Sequence, residues 1–182
     1  MMKFNFPIFL TLSRIIIVPF FVLIFYLPQT ASIYCTIIFT LASLTDWLDG
    51  FLARKWKQTT KFGAILDPIA DKIIVITTLI LIIEYFHIWY ITLSSTIIII
   101  REIIISIIRT WMIIYSTRTI ILMSTVSKLK TSLQMFALIA LLCRQNIIIE
   151  KIGINLLHTA TILTLLSMLQ YFYIVWRNIV NH

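Results

Sequence analysis

Residues 46–71 read DWLDGFLARKWKQTTKFGAILDPIAD, and this stretch contains all four aspartates of the chain. Asp46 and Asp49 are three residues apart, and Asp67 and Asp71 are four residues apart. On helices, residues at these spacings lie on one face, so each pair of carboxylates would share a side of its helix. Carboxylates gathered in an otherwise apolar chain are costly unless cations neutralise them. The stretch therefore predicts a metal site within a helical protein, with chemistry on a phosphate.

The composition around this stretch is that of an integral membrane protein. The chain has 182 residues, of which 60% are hydrophobic and only 12% are charged, and its mean hydropathy is +1.02. A soluble domain is nearer half apolar and about a quarter charged. We therefore expect an all-α membrane bundle, because helices satisfy their own backbone hydrogen bonds in lipid. Cys35 and Cys143 are isolated in apolar segments and are expected to be small core residues.

Apolar runs of membrane length predict six transmembrane helices in a single domain that covers residues 1–182. The predicted spans are 7–28, 31–54, 66–86, 89–115, 120–143 and 153–176. Pro68 suits the first turn of a helix, so we expect Asp67 near the N-cap of the third span and Asp71 one turn inside it.

The net charge of +8 is unevenly distributed along this topology. Thirteen of the fifteen Lys and Arg residues fall on the side that holds both termini and the aspartates. That side is predicted to face the cytoplasm. Nucleic-acid binding is not expected, because no basic run is free of membrane-length apolar neighbours; a basic cytoplasmic face that also binds an anionic substrate explains the charge better.

The aspartates offer hard oxygen ligands with no His or Cys nearby, which favours Mg²⁺ or Mn²⁺ over zinc. Four carboxylates are enough for two ions, and two-ion sites commonly serve phosphoryl-type displacement. Gly50 and Ala53 would clear space for a ligand beside the helix, and Arg54 can bind a phosphate. The alternative is a set of helix-end charges with ordinary small-residue packing. The residues taken together favour the site.

A second polar group lies in the fourth and fifth spans. Its cationic members are set among apolar residues: Arg101, Arg109, Lys128 and Lys130. Cations so placed usually face a cavity and need an anion, so they are predicted to bind the phosphate of an acceptor substrate. The alternative is that some of them, Lys130 above all, extend to the cytoplasmic interface. Glu102 either orients Arg101 or simply pairs with it, and His158 is expected to make a core hydrogen bond.

The pattern D-x2-D-G-x2-A-R-x8-G-x3-D-x3-D is matched at every specified position of 46–71. It resembles the signature of the CDP-alcohol phosphatidyltransferase family. Segments 5–14, 101–109 and 127–131 are similar to the bacterial branch of that family that uses glycerol 3-phosphate, and the likeness covers essentially the whole chain. The chain departs from many members at Ile8 and Phe9, near a position where they carry a second Asn.

The resemblance implies roles for individual residues. Asp46, Asp49, Asp67 and Asp71 would hold two Mg²⁺ or Mn²⁺ ions, with Asp71 also acting as the base. The residues implied to contact the CDP-lipid are Thr11, Gly50, Ala53, Arg54, Thr60 and Gly63. The implied reaction transfers the phosphatidyl group of CDP-diacylglycerol to glycerol 3-phosphate. Serine, inositol phosphate or phosphatidylglycerol is the alternative acceptor.

The resemblance also implies a six-span homodimer in the bacterial inner membrane, with its site open to the cytoplasm. Two other classes compete with this interpretation. Membrane prenyltransferases also use aspartate pairs with Mg²⁺ on a diphosphate, but they would lack the spacing of Gly50, Ala53, Arg54 and Gly63. A divalent-cation transporter would distribute its carboxylates through the bilayer depth, whereas these lie at one predicted membrane edge.

Overall fold

A computed structural model describes residues 6–27, 32–56, 61–114, 125–144 and 146–180, with side chains for 16–27, 32–45, 72–108, 129–144 and 146–170. The described residues form six α-helices. In chain order they are α1 Phe6–Phe25, α2 Ser32–Trp56, α3 Lys61–Phe86, α4 Trp89–Ile114, α5 Thr125–Cys143 and α6 Ile147–Val180. Each predicted span overlaps one helix, and the all-α class is confirmed.

Two helices begin earlier than the hydropathy pattern predicts. The third begins at Lys61 rather than near 66, so Pro68 lies inside α3 and the expected N-cap near Asp67 is wrong. Proline within a membrane helix is tolerated because neighbouring groups satisfy the freed backbone positions, and Pro19 inside α1 is a second example. The sixth begins at Ile147 rather than at 153, where the Asn146 side chain accepts a hydrogen bond from the Ile148 backbone N–H at 2.9 Å.

The helices pack around an apolar core. α5 packs most extensively on α6, α1 packs on α3, and α4 lies against both α6 and α3. Among the fully buried side chains are Phe21, Phe39, Leu79, Ile98, Leu138 and Leu157. Gly153 marks the closest approach of α6 to α5, because a Cβ atom there would lie 2.9 Å from Leu141 Cγ. In lipid no hydrophobic force drives helices together, so their association depends on close packing. Small residues at such points allow the helix backbones to approach closely.

The exterior of the bundle is apolar as well. Phe20, Leu41, Ile107 and Leu169 are each more than half exposed. Two segments are long and apolar enough to cross a membrane, Trp89–Ile108 and Ile147–Gln170, with hydropathies of 2.1 and 1.7 among the described residues. Only 39% and 33% of these windows are buried inside the protein. The core helix of a soluble protein would be mostly buried, so these surfaces have the character that lipid contact requires.

Arg144 closes one end of the bundle, just after α5. Its guanidinium carbon lies 3.6 Å from the centroid of the Phe25 ring and 3.9 Å from that of Tyr85. Nearby, the Tyr26 hydroxyl donates to Glu84. The Ser32 hydroxyl donates to the carbonyl of Cys143 at 3.0 Å. These contacts join the ends of α1, α3 and α5 to the start of α2.

The remaining polar expectations in the core agree with the structure. The Nδ1 atom of His158 lies 2.8 Å from the Ser94 hydroxyl, so the predicted core hydrogen bond is confirmed. Cys35 is buried and Cys143 is half-buried, and neither forms a disulfide.

Candidate functional site

The aspartates lie on two helices in the register that the sequence predicts. Asp46 and Asp49 belong to α2, and Asp67 and Asp71 belong to α3. On α2 the positions of Asp46, Asp49, Gly50 and Ala53 follow the spacing of one helix face, and on α3 Gly63 shares a face with both aspartates. The structure describes the backbone of these residues, and their side chains lie outside the described part.

The same end of the bundle holds both aspartate pairs. α2 ends at Trp56 and α3 begins at Lys61, so four residues connect them. A connection of this length keeps the Cα atoms of Trp56 and Lys61 within about 18 Å of each other. Thr60 lies in this connection, outside the described residues. Thr11 lies in α1 and Arg54 in α2, with side chains outside the described part.

The donor set fits a hard divalent cation. Its oxygen ligands are those that Mg²⁺ and Mn²⁺ prefer, whereas zinc sites use Cys and His. Among the side chains that the structure describes, no group of three His, Cys, Asp or Glu residues would suit a metal. The aspartates of α2 and α3 remain the metal ligands that the sequence predicts, and their side chains lie outside the described part.

A buried charged cluster lies beside the aspartate-bearing end of α3. We call it the Glu102 cluster, and its members are Lys72, Arg101, Glu102, Lys130 and Ser167. They come from α3, α4, α5 and α6, which the fold brings together at this level. Arg101 and Glu102 are each 8% exposed, and Lys130 is fully buried.

Glu102 makes the central contacts of the cluster. Its Oε1 accepts from Arg101 Nη1 at 2.8 Å and also from the Lys130 ammonium. Its Oε2 lies 2.7 Å from Lys72 Nζ, which also donates to the Glu102 main-chain carbonyl at 2.9 Å. Two cations, Arg101 and Lys130, thus share one carboxylate oxygen. Glu102 carries one negative charge against the three cations Lys72, Arg101 and Lys130, so the described side chains of the cluster retain positive charge.

Arg101 has donors that remain available. Its Nη2 donates to the Ser167 hydroxyl at 3.3 Å, and Ser167 in turn donates to the carbonyl of Thr164 at 2.9 Å. The Nε atom is buried without a partner among the described residues, as are Gln134 Oε1 and Thr164 Oγ1. A buried donor without a partner is costly and typically awaits water or a ligand.

The structure decides between the two alternatives for Lys130 and shows the partners of Glu102. Lys130 does not extend to the interface, because it is fully buried and pairs with Glu102. The interfacial alternative is wrong for this residue, since an anion on a neighbouring helix lies within reach. Glu102 contacts Arg101, which fits both of its alternatives, and it also binds two lysines.

The other two predicted acceptor residues lie in the same helices. Arg109 is in α4 and Lys128 is in α5, and their side chains lie outside the described part. Positions 128 and 130 are about 200° apart around a helix, so they lie on different faces of α5.

Lys72 also belongs to the Glu102 cluster, although the sequence analysis assigns it no role beyond its charge. It directly follows Asp71, so their Cα atoms are about 3.8 Å apart. Lys72 lies inside a predicted span, next to a candidate metal ligand. A lysine in such a position needs an anionic partner. That partner, Glu102, is 30 residues away on another helix.

Comparison with known proteins was made on the whole chain. The family model of the CDP-alcohol phosphatidyltransferases matches residues 4–176. A relative from Wigglesworthia glossinidia brevipalpis, a CDP-diacylglycerol--glycerol-3-phosphate 3-phosphatidyltransferase, is 59% identical over 98% of both chains. Relatives with the same name occur in Sodalis glossinidius, 50% identical over the full length of both chains, and in Escherichia coli K12, 52% identical over 93% of this chain and 94% of its own.

The match to the family model runs through all six described helices, and the relatives align over nearly their full lengths. By this evidence, together with the helical register of its aspartates, the chain belongs to the CDP-alcohol phosphatidyltransferase family.

Proposed function

We propose that this chain transfers the phosphatidyl group of CDP-diacylglycerol to sn-glycerol 3-phosphate, giving phosphatidylglycerophosphate and CMP. Relatives at 50 to 59% identity carry the name of that activity. The observation that carries the proposal is the contact of Lys72 with Glu102. Lys72 directly follows Asp71 in the chain. Glu102 also binds the buried cations Arg101 and Lys130, so the contact joins these cations to the helix of Asp71.

The Glu102 cluster suits an acceptor that carries a phosphate. Its described side chains retain positive charge, and the buried Nε of Arg101 has a free donor. Charge-assisted hydrogen bonds to a phosphate would satisfy both. A neutral alcohol would leave this excess positive charge uncompensated in an apolar surrounding, which is unfavourable. Arg109 and Lys128, at the cytoplasmic ends of the same two helices, would add to the attraction for the anion.

The donor would bind at the facing ends of α2 and α3. Asp46, Asp49, Asp67 and Asp71 would hold two Mg²⁺ or Mn²⁺ ions, which neutralise charge on the diphosphate when bound. Gly50, Ala53 and Gly63 leave space at the helix surface. Contacts to the CDP group are assigned to Thr11, Arg54 and Thr60.

Asp71 would accept the proton of the acceptor hydroxyl. The hydroxyl oxygen then forms a bond to the lipid-linked phosphorus, the bond from that phosphorus to the CMP oxygen breaks, and CMP leaves with the electron pair. This role is supported by the sequence position of Asp71, which directly precedes Lys72, a member of the Glu102 cluster.

The enzyme would work as a six-span homodimer in the bacterial inner membrane. The apolar exterior and the two membrane-capable segments support the spans. The excess of Lys and Arg on the side of both termini supports a cytoplasmic site. The water-soluble acceptor would then enter from the cytoplasm, and CMP would leave to the same side.

The test uses the purified full chain with CDP-diacylglycerol and Mg²⁺ or Mn²⁺. We expect CMP release that depends on glycerol 3-phosphate and stops when the metal is chelated. Serine, inositol phosphate and phosphatidylglycerol are offered separately as acceptors, and faster release with any of them would reassign the acceptor. CMP release at the same rate without any acceptor would contradict the transferase.

A further inference from the structure

Glu102 differs from an ordinary ion-pair partner because it binds cations with both of its carboxylate oxygens. Oε1 holds Arg101 and Lys130, and Oε2 holds Lys72. The contacts reach α3, α4 and α5, and Ser167 of α6 is connected through Arg101. Within the described residues, one side chain thus ties the helix of the proposed base to the helices of the proposed acceptor site.

The distance between the proposed base, Asp71, and the cations of the proposed acceptor site matters for the reaction. A misplacement of about 1 Å between reacting groups can cost about a hundredfold in rate. Lys72 is adjacent to Asp71 in the chain, and it is held from two sides by Glu102, through Oε2 at 2.7 Å and through the main-chain carbonyl at 2.9 Å. The cations that would bind the acceptor phosphate are held by the other oxygen of the same carboxylate.

We propose that Glu102 is a positioning residue, which fixes the acceptor-binding cations Arg101 and Lys130 relative to the base-bearing turn of α3. The inference rests on the proposed function, because it assigns how that reaction's acceptor is aligned. Glu102 touches neither the donor nor the reacting atoms; it acts through Arg101, Lys130 and Lys72. A substrate phosphate would bind the remaining donors of these cations while Glu102 keeps their directions.

A purely structural role is the competing explanation. Burying cations without an anion is costly, so Glu102 could serve only to neutralise them. The two roles differ in what a shorter carboxylate does. Glu102→Asp keeps the charge but is shorter by one methylene, about 1.5 Å, so it cannot reach all three cations at once. Neutralisation tolerates this change, whereas positioning does not.

The experiment compares Glu102→Asp and Glu102→Gln with the wild-type chain in the CMP-release assay. We expect Glu102→Asp to keep its thermal midpoint but to raise the KM for glycerol 3-phosphate about tenfold, with the KM for CDP-diacylglycerol unchanged within about twofold. Glu102→Gln keeps the shape and loses the charge, and it should show the same KM split. Glu84→Gln is the matched control: Glu84 is exposed and bonds Tyr26, and both KM values should stay at wild type.

The outcomes separate the inference from the proposed function. A wild-type KM for glycerol 3-phosphate in Glu102→Asp would overturn the positioning role while leaving the transferase intact. Loss of folded protein in both Glu102 variants would assign a structural role and overturn it as well. A wild-type chain that releases no CMP in response to glycerol 3-phosphate would instead overturn the proposed function, and the inference with it.

Discussion

At the scale of single residues, Arg144 shows how aromatic rings hold a cation at the end of the bundle. Its guanidinium lies between the rings of Phe25 and Tyr85, and one terminal nitrogen is buried without a hydrogen-bond partner among the described residues. Burial lowers the pKa of the Arg144 side chain. Arginine starts so far above neutral that the group remains charged, and the electron-rich ring faces stabilise it.

Replacing Arg144 with alanine should therefore destabilise the bundle without affecting the reaction. Loss of the two ring contacts is expected to cost about 1 to 2 kcal/mol. Thermal unfolding in detergent measures this as a lower midpoint, while KM for both substrates stays at wild type. Lys151→Ala removes an exposed cation near the same end and serves as the control. An unchanged midpoint in Arg144→Ala would show that the two ring contacts add no stability.

Lys130 shows what the sequence can and cannot predict about one residue. A lysine in an apolar helix either extends to water or pairs with an anion, and both choices fit the local sequence. The deciding partner, Glu102, is 28 residues away on another helix. The choice therefore depends on helix packing, which local spacing does not contain. The helical register of the four aspartates was predictable, because helix spacing is itself a local property.

At the scale of elements, hydropathy predicted that each described helix exists, but it was less accurate for the residues at which the helices begin and end. The start of α3 was placed too late because Pro68 was taken as a first-turn residue, while the helix continues through it. The start of α6 was placed too late because Glu150 and Lys151 interrupt the apolar run. Charged residues are compatible with an exposed first turn, where the Asn146 cap supplies an acceptor.

The contact of α5 with α6 depends on the absence of a side chain at Gly153. A Cβ atom there would lie 2.9 Å from Leu141 Cγ and 3.1 Å from Ala140 Cβ. Leu141 is fully buried, so it has little room to move. Alanine in a helix is favoured over glycine by about 1 kcal/mol, but overpacking costs about 1 to 3 kcal/mol.

We therefore expect Gly153→Ala to gain no stability and Gly153→Val to lower the free energy of unfolding by about 1 to 3 kcal/mol. Unfolding in a denaturing detergent series measures both. Asn155→Ala, on the exposed side of the same helix, should stay within about 0.5 kcal/mol of wild type. A Gly153→Val variant as stable as wild type would mean that α5 and α6 can separate at no cost.

At the scale of the whole molecule, the two ends of the bundle have different chemistry. One end carries the aspartates of α2 and α3 next to the Glu102 cluster, and the other is closed by Arg144 and aromatic rings. The signature in 46–71 was enough to predict the family, which the comparisons bear out. The Glu102 cluster could not be predicted as a unit, because its members come from four helices far apart in sequence.

The central claim is that the buried cations of this cluster bind the phosphate of the acceptor. Arg101→Gln tests it most directly, because glutamine keeps polar atoms and loses the charge. One charge-assisted hydrogen bond contributes about 1.5 to 3 kcal/mol, so kcat/KM for glycerol 3-phosphate should fall about 10- to 150-fold. The KM for CDP-diacylglycerol should stay within about twofold, which also shows that the variant is folded. A wild-type kcat/KM for glycerol 3-phosphate in Arg101→Gln would contradict the account.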